Sequence, residues 1–482
     1  MRKLLAIIWG IGWRATAFVG VIGAILFALN SRDVWDARKH YETQDTSLRG
    51  RVGVAVVALT MPEQYEPMFF ENFLDKIFTE VIPFPINILA GADNGIVLMD
   101  PSNPRATRRF APKVLADIWG RTTDLDGIAW AEKYRRGEIR FVPPSASTAH
   151  DHGFFLFPKR KGGVRTATAK TMLKARYIMY AQLPNGYLPH FSQTKTMAEA
   201  TLSTLRARHG ITAGAVVEAF NPSQMQQSVR AILDSGIDTL VLASVQPIYS
   251  DFEELKGSFS HVHHVIEDWQ KANPTKSIKI VIAPYMATAP NFKALWAEEL
   301  AKVSPAAARP GQSSARVILS FHGLPVTLIN SDSWTPRATE TADRLRPALE
   351  AVMRAKGFAK VEVIQAAESF ADSAEDPKNI IISVAEEYAR AKADNVELAI
   401  AVPVEFMAEN TDTLFTHAAV MFDGQPGYKT YMPPPGDVDW SKPYVRRFQN
   451  GATTVMYTGA PGGEGAQRAG VVLADALAPL WK

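Results

Sequence analysis

The sequence contains no cysteine. That absence excludes disulfides, thiolate metal sites, thiolate-held iron–sulfur clusters and cysteine nucleophiles, and it leaves the compartment open. A strong charge imbalance is also lacking: 52 basic residues stand against 49 acidic ones, a net charge of +3. That balance, with no motif of an RNA- or DNA-binding module, argues against a nucleic-acid partner. No G-x-G-x-x-G follows a strand, and there is no phosphate-cradling G-x-x-x-x-G-K-[ST] loop. No G-x-S-x-G elbow is present, so acyl transfer by a serine triad has no support. The glycine-rich "GAPGGEG" (Gly459 to Gly465) does not open a strand–helix–strand unit with a distant acidic partner, and reads as a flexible turn.

What is present is a globular chain of 482 residues, 47% apolar, too long for one ordinary core. Its N-terminus differs from the rest. "LLAIIWGIGWRATAFVGVIGAILFALN" (Leu4 to Asn30) is apolar except for Arg14. A helix needs about 20 apolar residues to span a bilayer, so the stretch predicts an N-terminal transmembrane helix in which Arg14 snorkels. A cleaved signal peptide is the rival, though no small-x-small cleavage site is evident. Positive charges flank both sides, Arg2, Lys3 and Arg14 before and Arg32, Arg38 and Lys39 after, so orientation stays open. The expectation is a single-pass anchor, in the inner membrane if the cell is bacterial, with the body cytoplasmic. Membrane lipid and the members of a membrane complex are the partners this implies.

Residues 31–50 are polar and read as a linker. "RVGVAVVALTMP" (Arg51 to Pro62) suits a strand buried on both faces, closed by a proline, and "FFENFLDKIFTEVI" (Phe69 to Ile82) is helical in period. Beyond about residue 170, strands and helices alternate. Strands are predicted at 213–220, 238–247, 278–285, 315–323, 360–366 and 396–406, and helices at 198–210, 222–236, 291–303, 336–356 and 377–394. Such alternation means parallel, doubly wound sheets. The prediction is an α/β fold of two lobes. Residues 1–50 form anchor and linker, 51–270 an N-terminal lobe with an insertion at about 83–175, 271–454 a C-terminal lobe, and 455–482 a strand and helix packing back on the first lobe.

Ligands of this architecture bind beyond the carboxyl ends of the strands. "ILSFHGLP" (Ile318 to Pro325) sets His322 at one such end, where a neutral imidazole can accept a proton or bind a metal. "VPVEFMAENTDTL" (Val402 to Leu414) sets Glu405, Glu409 and Asp412 past another, where carboxylates can relay protons or a hard cation. A satisfied structural histidine and a solvated acidic loop are the bland alternatives.

Four segments resemble the ferrochelatase family in its own order. "LPNGYLP" (Leu183 to Pro189) is similar to its "GGSPL". "EAFNPS" (Glu218 to Ser223) with "GIDTLVLASVQPIYS" (Gly236 to Ser250) is similar to "YGNP … LPLYPQYS". "LSFHGLP" is similar to "FSxHGLP", and "SDSWTPRATETADRL" (Ser331 to Leu345) follows where the family has "GDPY … TA". "PVEFMAENTDTL" resembles "PVGFxSDHxETL". The likeness covers about residues 180–425, with a weaker match at Val52 to Pro62.

The resemblance implies two Rossmann-like, chelatase-type lobes around a porphyrin cleft, and insertion of ferrous iron into protoporphyrin IX, the step that makes protoheme. It implies no tightly bound cofactor, with Fe2+ as a substrate. The family's histidine, held to take a pyrrole proton or bind the metal, maps to His322, its catalytic glutamate to Asp412 and its aspartate to Glu409. His322 and Asp412 are thereby the metal candidates. Tyr187, Tyr249, Phe321, Trp334, Phe406 and Asn410 are candidates to line the macrocycle. The chain departs from the family at Asp412, one methylene shorter than glutamate, and at Asn410, where the family has histidine. It departs again at "QAAESF" (Gln365 to Phe370) for "QSRxG" and at Thr60, Met61, Pro62 for "GTP". Two alternatives stay open: a noncatalytic porphyrin- or heme-binding protein, and a chelatase for another tetrapyrrole or metal. His261, His263 and His264 on a helix, His150 and His152 beside Asp151, and the basic run Lys159 to Arg165 are weaker candidates for metal or lipid contacts.

Overall fold

The computed structural model describes residues 2–64, 96–99, 155–158, 183–311, 313–323, 332–367, 382–416 and 438–482, together with Phe69 and Tyr180. The helix predicted at 69–82, most of the 83–175 block with His150 and His152, and the basic run at 159–165 lie outside the described residues, as do Leu324, Pro325 and residues 368–370. Within the block a short antiparallel pair is described, β2 (Ile96–Met99) with β3 (Phe155–Pro158).

A four-stranded sheet holds β1 (Val52–Ala58), β4 (Ala213–Glu218), β5 (Thr239–Ser244) and β6 (Lys279–Ile282) in the order β4-β1-β5-β6, all parallel. Strands β1 and β5 are buried along their whole length, which is why they read as unbroken apolar runs. Because β6 pairs with β5, the first lobe extends to at least Ile282, beyond the boundary expected at 270. The second sheet runs β11-β12-β10-β7-β8-β9. Its parallel members are β7 (Ser314–Phe321), β8 (Lys360–Ala367), β9 (Ile382–Ser383), β10 (Leu398–Pro403) and β12 (Thr453–Tyr457), and β11 (Arg446–Asn450) joins as an antiparallel hairpin arm. The short β9 and β11 lie outside the predicted strands, whereas β12 overlaps the C-terminal strand expected within 455–482.

The glycine-rich stretch opens a helix rather than forming a free turn. Gly462 has φ +75 and leads Gly462–Leu477. That helix packs against His190–His209 of the first lobe so closely that a Cβ on Gly470 would lie 2.2 Å from the Met197 carbonyl oxygen. The Thr201 hydroxyl donates to the Gly470 carbonyl at 3.0 Å, and Arg208 pairs with Asp475.

The N-terminal segment forms one helix, Arg2–Thr43, with no break between the apolar run and the expected linker. Its C-terminal half is tied to the body. Ser31 and Val34 are buried, and the partly buried Ala37, Arg38 and Tyr41 continue the same stripe at helical spacing. Val21, Ile25 and Leu29 are exposed. The expected transmembrane helix is not supported. Among the described residues no helix is long and apolar enough to cross a membrane, and the side chains of residues 1–19 lie outside that description. Beyond the apolar run the docked half carries Arg32, Asp33, Asp36, Arg38 and Lys39.

Candidate functional site at the strand ends

In the second sheet, β7 continues to β8 on one side while β10 continues to β12 on the other. The crevice beyond adjacent β7 and β10 is therefore the point where strand order reverses, the place where such sheets bind ligands. His322 is the residue after β7 and Glu405 lies two past β10. Both predicted groups thus meet at one edge. The carboxylate of Glu405, itself buried, accepts the His322 backbone N–H at 2.8 Å on Oε2 and the Trp334 indole N–H at 2.7 Å on Oε1. The imidazole of His322 is part-exposed, and its ring centroid lies 5.5 Å from that of Phe406.

Past Glu405 the loop is built on its own polar side chains. The Asn410 Oδ1 accepts from the backbone N–H of Asp412 at 2.7 Å and of Thr413 at 2.9 Å, capping the π-helical turn Asp412–Thr416. Turns of this kind recur at functional sites. Glu409 is fully buried, and its two oxygens accept from the Thr413 hydroxyl at 2.7 Å and the Ala460 N–H at 2.8 Å. Burial pushes its carboxyl up from the ordinary value, while Arg446 and these hydrogen bonds pull it back. Arg446 closes the turn from the other side. It donates to the Leu414 and Thr413 carbonyls at 3.2 and 3.0 Å and stacks over the Tyr457 ring at 4.5 Å. Asp412 remains part-exposed at the start of the turn.

The first lobe faces this loop with the segment after β1 and the start of the His190–His209 helix. His190 Nδ1 accepts the Met61 N–H at 2.9 Å, and the Thr411 hydroxyl donates to Met61 Sδ at 3.4 Å. The Gln193 side chain accepts the Glu409 N–H at 2.8 Å and donates to the Trp440 carbonyl at 2.9 Å. His190 is buried, which pushes its pKa down to about 4 against the opposing pull of Asp412. Tyr187, part-buried beside it, shares a 2.8 Å hydrogen bond with Ser192 and donates to Glu63 at 3.3 Å.

A second junction joins the lobes on the far side of His322. The first-lobe π-helix Asp251–Ser258 and the second-lobe helix Trp334–Ala355 cap one another. Asp332 accepts from the N–H groups of Phe252 at 2.9 Å and Trp334 at 2.8 Å, and Asp251 accepts from Ser333 N–H at 2.8 Å and pairs with Arg337 at 2.8 Å. Arg38 of the N-terminal helix donates to the Ser333 hydroxyl at 2.8 Å. Carboxylates crowd here. Burial, then Glu405 and Asp332, hold Glu253 up at about 7, and burial followed by Glu253 raises Glu254 further.

The predicted residues therefore divide. His322, Glu405 and Phe406 share the strand-end crevice, and Asp412 sits on the same loop, against the first lobe. Glu409 and Asn410 are buried as the frame of that loop. Tyr249 and Phe321 are fully buried core side chains, Tyr249 packing edge-on against Tyr41 and Phe259. The Trp334 indole N–H is engaged by Glu405. Among the described residues no cluster of three or more histidines and carboxylates could hold a metal ion, so His322 and Asp412 belong to no preformed cage and the helix carrying His261, His263 and His264 presents none. Sequence reasoning missed His190, whose only linear signal is a histidine directly after Pro189 at a helix start, and Arg446, which has none.

No curated protein matches the chain. Among solved structures, SirB from Bacillus subtilis with Fe3+ is 11% identical, with a TM-score of 0.37, covering 59% of this chain and 90% of that one. The sirohydrochlorin chelatase SirB from Bacillus subtilis subspecies spizizenii, in complex with cobalt, is 9% identical with a TM-score of 0.32 over the same shares. The ferrochelatase family model matches residues 160–421, more than half of the 482, taking in His190, His322 and the 405–413 loop. By that match, this chain belongs to the ferrochelatase family.

Proposed function

We propose that the protein inserts ferrous iron into protoporphyrin IX. The observation that carries the reading is the part-exposed imidazole of His322 at the crevice where the second sheet reverses its strand order, in a chain of this family. Insertion exchanges two pyrrole N–H protons for one Fe2+, so the neutral macrocycle becomes a neutral iron complex and two protons must leave. His322 takes the two pyrrole protons in turn, and Asp412, part-exposed on the loop after β10, passes them to solvent. Ferrous iron is a substrate here, not a resident group. Phe406 and Tyr187, both part-exposed, offer apolar faces to the macrocycle. Anaerobic assay with ferrous iron and protoporphyrin tests this. Turnover is expected in the wild type and its loss, by two orders of magnitude or so, in His322→Ala with porphyrin binding retained. Turnover surviving in that variant refutes the assignment.

One observation favours a second reading. Asn410 stands where the family has a histidine, and the Glu409 carboxylate is committed to Thr413 and Ala460. A noncatalytic porphyrin or heme binder would tolerate both. Tight porphyrin binding without turnover, over a panel of macrocycles and of ferrous, cobalt and nickel ions, selects that reading. Turnover with a different pair identifies another chelatase.

A further inference from the structure

We propose that the N-terminal helix is a strap across the lobe boundary and that Arg38 on it is a positioning residue: it holds the start of the Trp334–Ala355 helix where the Trp334 indole meets Glu405, at the strand end that carries His322. The consequence for turnover rests on the reading of His322 as the proton acceptor. The family match spans residues 160–421, so it assigns no role to this helix.

The strap is fastened to the first lobe. Just past Thr43, the Gln44 side chain accepts the Ile282 N–H at 2.8 Å and donates to the Ile282 carbonyl at 2.9 Å, serving the edge strand β6 as a neighbouring strand would. Asp45 pairs with Lys279 of the same strand. From its docked stripe the helix then reaches the second lobe. Arg38 Nη1 donates to the Ser333 hydroxyl at 2.8 Å and lies 3.5 Å from Asp251 Oδ2, and the Arg337 guanidinium sits over the Tyr41 ring at 5.8 Å. Ser333 is the N-cap of its helix, where a serine ordinarily accepts from an N–H of the first turn. It makes no such bond, and its hydroxyl accepts from Arg38 instead. A cation at a helix N-terminus opposes the macrodipole, and the buried Asp251 already has Arg337 at 2.8 Å on its other oxygen. Neither helix stability nor charge neutralisation therefore accounts for Arg38 in that place. The contacts beyond it do. The Ser333 N–H donates at 2.8 Å to the Asp251 oxygen that Arg38 faces. The next residue, Trp334, donates its indole N–H to Glu405 at 2.7 Å, and Glu405 accepts the His322 N–H at 2.8 Å. Hydrogen bonds thus run from a helix that precedes the family match to the strand end at the crevice.

The test begins with a spectroscopic signature that a merely structural arginine would not move. The full chain labelled with 15N in its tryptophan indoles carries ten such N–H groups, and Trp334→Phe identifies the signal of Trp334. Arg38→Met keeps the apolar stem of the side chain and removes its donors. It is expected to fold, because Gln44 and the buried Ser31 and Val34 still seat the helix, and to shift the Trp334 indole signal. Arg38→Lys is expected to restore that signal, since one nitrogen makes both the Ser333 and the Asp251 contact. In a Ser333→Ala background, Arg38→Met should shift it much less. An indole signal unmoved by Arg38→Met, or moved as far in the Ser333→Ala background, overturns the proposal. Turnover supplies the second arm. Arg38→Met is expected to lower kcat about tenfold with the porphyrin KM unchanged, and Arg38→Lys to recover most of the loss. A change in KM alone, or in neither constant, overturns the positioning role. If the wild type shows no turnover, the reading of the site as a chelatase fails, and the indole signal still decides whether the strap holds Trp334.

Discussion

Glu405 gives the sharpest prediction. Where the family pattern has glycine in "PVGF", this chain has a glutamate whose two oxygens each accept one buried donor, His322 N–H at 2.8 Å and Trp334 Nε1–H at 2.7 Å. Trp334 is 3% exposed and Glu405 8%, so water cannot readily replace either contact. Orphaning a buried donor costs about 1–3 kcal/mol. Glu405→Ala orphans both and is expected to destabilise by roughly 2–6 kcal/mol. Glu405→Gln keeps one acceptor oxygen but turns an amide N–H toward the other donor, an expected cost of about 1–3 kcal/mol. Urea unfolding of the two variants, and of each in a Trp334→Phe background, measures this directly. Phenylalanine removes the indole donor, so glutamine should then cost about 1 kcal/mol less, and the cycle should return a coupling of that order. A Glu405→Ala cost below about 0.5 kcal/mol, or a Glu405→Gln cost indifferent to Trp334→Phe, refutes the claim that this carboxylate fixes the strand end carrying His322.

Stability should respond to pH through two opposed groups. Glu253, raised from 4.5 to about 7, keeps its proton in the native state after the unfolded chain has lost it, so stability is full below pH 4.5 and declines as pH rises through 7. His190, lowered from 6.5 to about 4, stays neutral while the unfolded chain protonates, so stability is full above pH 6.5 and declines as pH falls through 4, by about 3 kcal/mol across the window. Relative to the wild type, Glu253→Gln is expected to weaken the decline of stability as pH rises from 4.5 to 7, and His190→Gln to weaken the decline as pH falls from 6.5 to 4; a pH dependence of the urea midpoint identical to that of the wild type in either variant would contradict the assignment. Gly470→Ala sets a methyl 2.2 Å from the Met197 carbonyl oxygen and 2.7 Å from the Ala200 Cβ, which only movement of the whole helix pair relieves. A loss of about 1–3 kcal/mol is expected by thermal or urea unfolding, and a neutral outcome would mean the C-terminal helix is not held where it lies.

Much of the fold was legible because parallel strands buried on both faces leave continuous β-branched runs. Strands β1, β5, β7, β8 and β10 all fall inside their predicted spans or within a residue of them. What escaped is what linear pattern does not carry. β11 is short and half-exposed, and β9 is only two residues long. The boundary at 270 fell short because β6 belongs by pairing to the first sheet, which period alone cannot reveal. The transmembrane expectation rested on the run from Leu4 to Asn30, whereas the structure continues one helix to Thr43 and docks its charged half on the body.

The amino-acid sequence by itself determined the α/β architecture, the family motifs and the placement of His322 and the acidic loop at strand ends, because all of these depend on local period and on residues near in the chain. Only the tertiary structure decided how deeply each of the loop's acids is buried. Glu409 accepts from Thr413 and Ala460, Glu405 accepts from His322 and Trp334, and Asp412 is part-exposed. A carboxylate's role is set by the donors that reach it, and those donors come from parts of the chain that meet only when the two lobes close on each other.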